Sequence, residues 1–144
     1  MAKFNDKKGN SNSINDVTNK IKKVDKLKDI SPKLYADEGG YADQVAKSSE
    51  KLKSSQLRKF FGVVKKLENQ NKWEEIEPEF YLLKPQLAAA KGRKNIPGDF
   101  YKFMMICMRK VDEGSEEDKV ENFKTFIKFF ESIVAYHRFY YKIK

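Results

Sequence analysis

Hydrophobic residues recur along most of the chain at steps of three and four, which is the spacing of one face of an α-helix. Segments 41–53, 56–70, 75–91, 100–111 and 116–142 each carry such a stripe. No segment shows the strict alternation of a strand, and the chain has no internal repeat or glycine-rich phosphate loop. The pattern therefore predicts an all-α fold, a compact bundle of about five helices.

The first 40 residues differ from this pattern. Residues 1–13 are rich in Asn, Ser and Lys and lack apolar periodicity, whereas 14–30 carry a thin apolar stripe without aromatic residues. Ser31-Pro32 then breaks the helical pattern. We therefore predict a flexible basic tail at 1–40, whose residues 14–30 can form a helix that docks weakly or folds on a partner, and a helical domain at 41–144.

Two of the predicted helices have a further feature, a basic arc in one and an internal proline in the other. The segment 56–70 is the sharpest amphipathic one, because an arc of arginine and lysine lies opposite its apolar stripe. The segment 75–91 contains Pro85, which lacks the backbone N–H that a helix interior uses. We therefore expect a kink or a break just before Pro85.

Charge changes this picture because it is unevenly distributed. The 144 residues have a net charge of +9. Residues 51–66 hold six basic residues and no acid, and 84–110 hold seven against one, so each block has a charge of +6. The acidic blocks 67–79 and 112–121 have charges of −4 and −5. The basic excess favours an anionic partner, a nucleic acid before an acidic membrane surface, although a solvated surface explains any single block equally well.

The sequence offers little for catalysis or metal binding. His137 is the single histidine and Cys107 the single cysteine, and both lie on apolar stripes, which favours structural roles over a metal site or a nucleophile. The acid pairs at 74–75 and 116–117 begin predicted helices, where they complement the helix dipole. We therefore predict no catalytic residue, no metal site, no cofactor and no enzyme activity.

Location follows from the same composition. No apolar run approaches the length of a membrane-spanning helix, and the polar N-terminus does not resemble a secretory signal. A single cysteine fits a reducing compartment. We therefore predict a cytoplasmic protein without a membrane partner.

The last helix carries more aromatic residues than one helix of a small bundle easily buries. The excess predicts contact with a second copy of the chain or with a displaced helix, and base stacking is a weaker alternative. The candidate self-association residues are Phe126, Phe129, Tyr136, Phe139 and Tyr140.

The two basic blocks hold the candidates for nucleic-acid binding. Lysine presents a mobile point charge to a phosphate, and arginine a bidentate fork. Because the chain has 26 lysines and 4 arginines, contacts to a nucleic-acid backbone are more expected than readout of bases. The basic candidates are Lys53, Arg58, Lys59, Lys65, Lys84, Lys91, Arg93 and Lys94.

Two strings within these blocks resemble a known family. SSQLRKFF at 54–61 and LKPQLAAAKGR at 83–93 are similar to the small subunit of the type III-A CRISPR effector, the Csm interference complex. The resemblance extends over 41–144. The polar residues that match its motifs are Gln56, Arg58 and Lys59 in the first string and Lys84, Lys91 and Arg93 in the second.

The resemblance implies a non-catalytic RNA-binding subunit of a ribonucleoprotein in antiviral defence. Copies stack head to tail as a filament, and a basic face contacts the backbone of the crRNA–target RNA duplex. The partners so implied are crRNA, target RNA, the other type III-A subunits and further copies of the chain. The residues alone leave two alternatives open: a stand-alone basic helical nucleic-acid-binding protein, and a structural interaction protein with solvated basic faces.

Overall fold

The computed structural model describes residues 14–141. Within this range no strand occurs, and a helical stretch and a 3-10 turn at Leu27–Asp29 precede six further α-helices. The helices are α1 (14–23), α2 (Pro32–Ala36), α3 (Tyr41–Lys47), α4 (Ser54–Lys65), α5 (Trp73–Gly92), α6 (Gly98–Val111) and α7 (Glu116–Tyr140). The all-α prediction is confirmed. The five segments that the periodicity marked overlap α3–α7, although α3 ends at Lys47 rather than at 53 and α4 at Lys65 rather than at 70.

The core is built around α7, which contacts every helix from α2 to α6. Phe80 of α5 lies at its centre and meets Trp73, Phe123 and Phe126 edge to face, with ring centroids 5.6, 5.8 and 6.2 Å apart. Such aromatic pairs add to the free energy of burial because ring edges and faces carry opposite partial charge. Most of the aromatic side chains of the last helix are therefore buried in the core of the molecule.

The structure differs from the predicted division at residue 40. Ile14, Val17 and Ile21 of α1 are buried in the core, and so is Tyr35 of α2, whose ring centroid lies 5.5 Å from that of Phe129. Tyr35 and the 3-10 turn both contact α7, which offers this segment an aromatic face. Residues 14–40 thus belong to the core rather than to a tail, and 1–13 lie outside the described residues.

Helix α5 runs without interruption from Trp73 to Gly92 although it contains Pro78 and Pro85. The predicted break before Pro85 is therefore not observed. A proline in a helix interior costs about 3 kcal/mol, whereas burial of one large apolar side chain contributes about 1.5–3 kcal/mol. The buried stripe on both sides of the prolines keeps the helix continuous, and it consists of Trp73, Ile76, Phe80, Leu83, Leu87 and Ala90.

A buried amide fixes the beginning of α7. The Nδ2 group of Asn122 donates to the carbonyls of Val111 and Glu113, at 3.0 and 3.1 Å, and its Oδ1 accepts from the backbone N–H of Lys28 at 2.8 Å. Ser115 and Asp118 form a capping box one turn earlier. Three separate segments, the 3-10 turn, the end of α6 and the start of α7, are thereby held together.

Candidate nucleic-acid interface

Helices α5 and α7 give the molecule an acidic end. Glu74 in the first turn of α5 lines a groove of about 240 Å³ together with Glu116 and Glu117 in the first turn of α7, and Lys72 is its one basic lining residue. The two helices therefore begin side by side, and their acidic first turns complement both helix dipoles. We call this groove, with these three glutamates, the acidic end.

The opposite end of α5 is basic. Lys91 lies in its last turn, and Arg93 and Lys94 follow directly. A helix of 20 residues is about 30 Å long at 1.5 Å per residue. The acidic and basic groups of α5 are therefore separated by nearly the whole length of the helix.

An open basic groove lies at this end. Lys51, from the connection between α3 and α4, lines it together with Lys91 and Lys94, and its volume is about 340 Å³. The wall is completed by 96–98, where α6 begins without a side-chain cap. The uncapped N–H groups of the first turn add positive potential to the three lysines, and Asp99 in the same turn reduces it. This arrangement suits an anion such as a phosphate group.

A second basic surface, the arginine cleft, lies between α4 and α7. Arg58 and Arg138 line it together with Ser54, Val134 and His137, and both arginines are exposed. The connection 48–53 joins the two surfaces, because Lys51 lines the basic groove and Ser54, which follows the connection, lines the arginine cleft. We call the two surfaces together the basic end.

Most of the basic residues predicted from sequence lie at or beside the basic end. Lys91 and Lys94 line the groove and Arg58 lines the cleft. Lys53 is exposed on the connection between them. The two other exposed candidates are direct chain neighbours of these residues: Lys59 follows Arg58, and Arg93 precedes Lys94.

Lys65, which the sequence predicted as an RNA-binding residue, forms ion pairs with two glutamates of the fold. Its Nζ lies 3.0 Å from a carboxylate oxygen of Glu68 and 3.9 Å from one of Glu131. The hydrogen bond to Glu68 raises the pKa of Lys65, and Glu131 adds to this effect. The positive charge of Lys65 is thus compensated within the fold.

Lys84 also lies apart from the basic groove, two turns before Lys91. Its Nζ is 5.1 Å from the ring centroid of Tyr81, whose hydroxyl donates to Asp112 at the end of α6. Burial and this hydrogen bond raise the pKa of Tyr81 to about 12. Burial acts to raise the pKa of Asp112 as well, but the hydrogen bonds from Tyr81 and Lys119 hold it below its usual range, and Lys84 contributes in the same direction.

Gln56, which the family motif marked, is half-buried in the first turn of α4. Its Oε1 is buried and has no hydrogen-bond partner among residues 14–141. The neighbouring Leu57 and Phe60 are buried, as the apolar stripe predicted. Of this motif, Arg58 and Lys59 therefore present their charge to the surface.

Sequence reasoning missed two members of the basic end. Lys51 and Arg138 were counted as charges but were not named as binding residues. Their neighbours in space, Lys91 and Arg58, lie 40 and 80 residues away in sequence. No local periodicity relates such distant positions, so the sequence contained no signal for either pairing.

The structure corrects the expectation for self-association. Phe126 and Phe129 are buried in the core, Tyr136 donates its hydroxyl to the carbonyl of Ala36, and Tyr140 donates its hydroxyl to Asp43. These partners belong to α2 and α3, and α2 lies in the segment that the sequence assigned to a tail. Among the five candidates, Phe139 alone is largely exposed, at 74%.

Burial governs the chemistry of the single cysteine, Cys107. Cys107 is buried, and burial raises the pKa of its thiol far above the usual range, so the thiol stays protonated. Between residues 14 and 141, no cluster of three or more His, Cys, Asp or Glu side chains could hold a metal ion. None of the helices in this range is long and apolar enough to span a membrane.

Comparison with protein-family models found a match over most of the chain. Residues 32–142 match the family described as Csm2 Type III-A, and the match spans α2 to α7. It begins before Tyr41, in agreement with the burial of α2 in the core. The comparison with curated proteins found no match, and neither did the comparison with solved structures. The chain therefore belongs to the Csm2 family, the small subunit of the type III-A CRISPR complex.

Proposed function

We propose that this protein is a non-catalytic RNA-binding subunit of a type III-A CRISPR ribonucleoprotein in antiviral defence. It contacts the backbone of the crRNA–target RNA duplex and stacks with further copies as a filament beside the other type III-A subunits. The family match supports membership of the complex. The observation that carries the RNA contact is the basic groove, where lysines of two distant segments converge beside the start of α6.

The charges of this surface are available to a ligand. Among the described residues, Lys51, Lys91, Lys94 and Arg58 form no ion pair with a carboxylate. Three lysines that line one groove repel one another, and an RNA backbone relieves this repulsion and releases its own counterions. Binding of this kind ignores sequence, which suits a complex in which the guide reads the target by base pairing.

The separation of charge supports stacking. The acidic end and the basic end lie about 30 Å apart along α5, by the rise of 1.5 Å per residue. Copies that repeat head to tail would set the acidic end of one against basic residues of the next, and such a contact repeats as an open filament.

The RNA contact can be tested by titrating labelled RNA duplexes with the full-length protein at several salt concentrations. The double variant Lys91→Ala/Lys94→Ala removes two charges from the groove. We expect its slope of log affinity against log salt to be shallower by about 1.8, since each phosphate contact contributes about 0.9. The matched control Lys22→Ala/Lys23→Ala removes two exposed lysines of α1 and should retain the wild-type slope.

Two outcomes would contradict the RNA contact: no binding by the wild type, or an equal loss of slope in both double variants. Stacking is tested in the same titration with a long and a short duplex. We expect cooperative binding to the long duplex only, and loss of that cooperativity in Glu116→Lys/Glu117→Lys. Unchanged cooperativity in this variant would exclude the acidic end from stacking.

A further inference from the structure

The connection between α3 and α4 decides whether the basic groove and the arginine cleft form one surface. Its residues 48–53 contain a turn in which the Leu52 N–H donates to the Ser49 carbonyl at 3.1 Å. Leu52 is buried, whereas Lys51 and Lys53 point outward and are exposed. The first two residues of the connection are tied back to α3, because the backbone N–H groups of Ser48 and Ser49 donate to carbonyls of that helix and so does the Ser49 hydroxyl. The stretch 50–53, which carries both lysines, has the turn bond and needs further contacts from outside to keep its lysines in place.

His137 of α7 supplies these contacts. The residue lies in the last turn of the helix but is only 2% exposed. Its Nε2 is 3.1 Å from the carbonyl oxygen of Ser49, and its Nδ1 is 3.4 Å from the hydroxyl oxygen of Ser54. Because a carbonyl only accepts, the proton lies on Nε2, which leaves Nδ1 to accept from the Ser54 hydroxyl. One imidazole ring thus holds both ends of the connection.

The surroundings of the ring fit this role. The ring of Tyr141 packs edge-on against His137, with centroids 5.1 Å apart, and its hydroxyl donates to the carbonyl of Lys47 at the end of α3. Burial lowers the pKa of His137, although the carbonyls of Ser49 and Leu52 act in the opposite direction. A neutral ring avoids repulsion from the two arginines that line the cleft.

We propose that His137 is the positioning residue of the RNA-binding surface: by bonding Ser49 and Ser54 it holds Lys51 and Lys53 where the basic groove meets the arginine cleft. His137 itself contacts no phosphate in this arrangement. The role in RNA binding rests on the proposed function, whereas the effect on the connection does not.

Three variants separate positioning from general stability. His137→Leu removes both hydrogen bonds but keeps an apolar side chain in the core. His137→Gln keeps a terminal amide that can donate to the Ser49 carbonyl, so it should rescue. The control Tyr136→Phe removes the 2.7 Å hydrogen bond to the Ala36 carbonyl from the adjacent residue of α7, and this bond holds α2 instead of the connection.

The first measurement needs no RNA. We expect hydrogen exchange at the amides of 49–54 to become about tenfold faster in His137→Leu, close to wild type in His137→Gln, and unchanged in Tyr136→Phe. If His137→Leu does not fold, Ser54→Ala removes one of the two bonds and should give a smaller increase. Unchanged exchange in the connection, or an equal change in Tyr136→Phe, would overturn the proposal.

The second measurement is a double-mutant cycle for binding to an RNA duplex. We expect Lys51→Ala to weaken binding severalfold in the wild-type background and hardly at all in His137→Leu, because the lysine is then no longer held at the groove. Additive effects would overturn the role of His137 in RNA binding. If Lys51→Ala has no effect on the wild type while the exchange results hold, the proposed RNA contact fails and the positioning of the connection stands.

Discussion

Two ion pairs beside the start of α7, outside the groove of the acidic end, differ from the basic end in how their charges are compensated. Around the start of α7, charged groups pair within the fold: Lys28 with Asp118 and Lys119 with Asp112, each at 3.0 Å. At the basic end, the lysines of the groove and Arg58 have no such partner among the described residues. Net charge is therefore a poor guide to function, and the position of charges without an internal counterion is a better one.

The two arrangements also differ in what they do for stability. The hydrogen bond from Lys28, together with backbone contacts at Ser115, lowers the pKa of Asp118, so this carboxylate stabilises the fold in its charged form. Three lysines around one groove instead repel one another in the free protein, although the Nζ of Lys91 also lies 5.4 Å from the centroid of the Tyr101 ring. A fold that keeps such a cluster is consistent with a ligand that compensates it.

The largest loss of stability is expected from Asn122→Leu, at the start of α7. The substitution leaves the Lys28 N–H and the carbonyls of Val111 and Glu113 without their partner. We expect a loss of about 3 kcal/mol in the free energy of unfolding, since a buried group without a partner costs roughly 1–3 kcal/mol. This corresponds to a fall of roughly 6–12 °C in Tm.

Urea unfolding measures the effect, and Asn71→Leu, at an exposed position of the acidic groove, is the matched control. RNA affinity of the folded Asn122→Leu variant should equal that of the wild type. An affinity that falls together with stability would show that the two ends are not separable.

A smaller effect is expected from the titration of His137. Its pKa in the folded protein is lowered by burial below the ordinary 6.5. As the pH falls below about 6.5, the unfolded chain takes up a proton on His137 that the folded protein does not yet bind. The free energy of unfolding therefore decreases toward acid until the pH reaches the lowered pKa of the folded protein. The slope cannot exceed about 1.4 kcal/mol per pH unit for one group.

Urea unfolding between about pH 7.5 and 5.5 tests this sign, because Asp and Glu titrate at lower pH. Arg58 and Arg138 are the charged groups that line the same cleft. We expect the slope to be flatter in His137→Gln. A slope that is equal in wild type and variant would place the acid-sensitive group elsewhere.

The sequence predicted α3 to α7 because their apolar stripes are wide and include aromatic residues. It placed α1 and α2 in a tail because a stripe as thin as that of Ile14, Val17 and Ile21 stabilises a helix only through the face it packs on. The 3-10 turn and Tyr35 of the same segment find their partners on α7, where Asn122 lies 94 residues after Lys28. The continuity of α5 through Pro85 escaped prediction for a related reason, since it depends on tertiary burial rather than on propensity.

The candidate site was predictable in part. The basic blocks and the family motif identified Arg58, Lys91 and their neighbours, since both signals lie within short strings. The groove itself was not predictable, because it forms where Lys51 meets the end of α5. Pairing inside the fold, which separates Lys65 from Arg58, also depends on a residue of another helix, Glu131.

The smallest effect is expected from Lys65→Ala, and it tests directly whether pairing within the fold keeps a charge from binding RNA. Lys65 and Arg58 lie two turns apart on the same side of α4, and both belong to the same basic block. Because Glu68 and Glu131 compensate Lys65, we expect Lys65→Ala to change RNA affinity less than twofold, and stability within about 0.5 kcal/mol, the range of exposed ion pairs.

Arg58→Ala removes the same charge without a compensating partner and should weaken RNA binding severalfold, with a shallower dependence on salt. Titration of one RNA duplex with both variants compares the two positions directly. If Lys65→Ala weakens binding as much as Arg58→Ala, an internal counterion does not decide which charges reach the RNA. The contrast between the paired and the unpaired charges would then have no functional meaning, since a local excess of lysine anywhere on α4 would bind equally well.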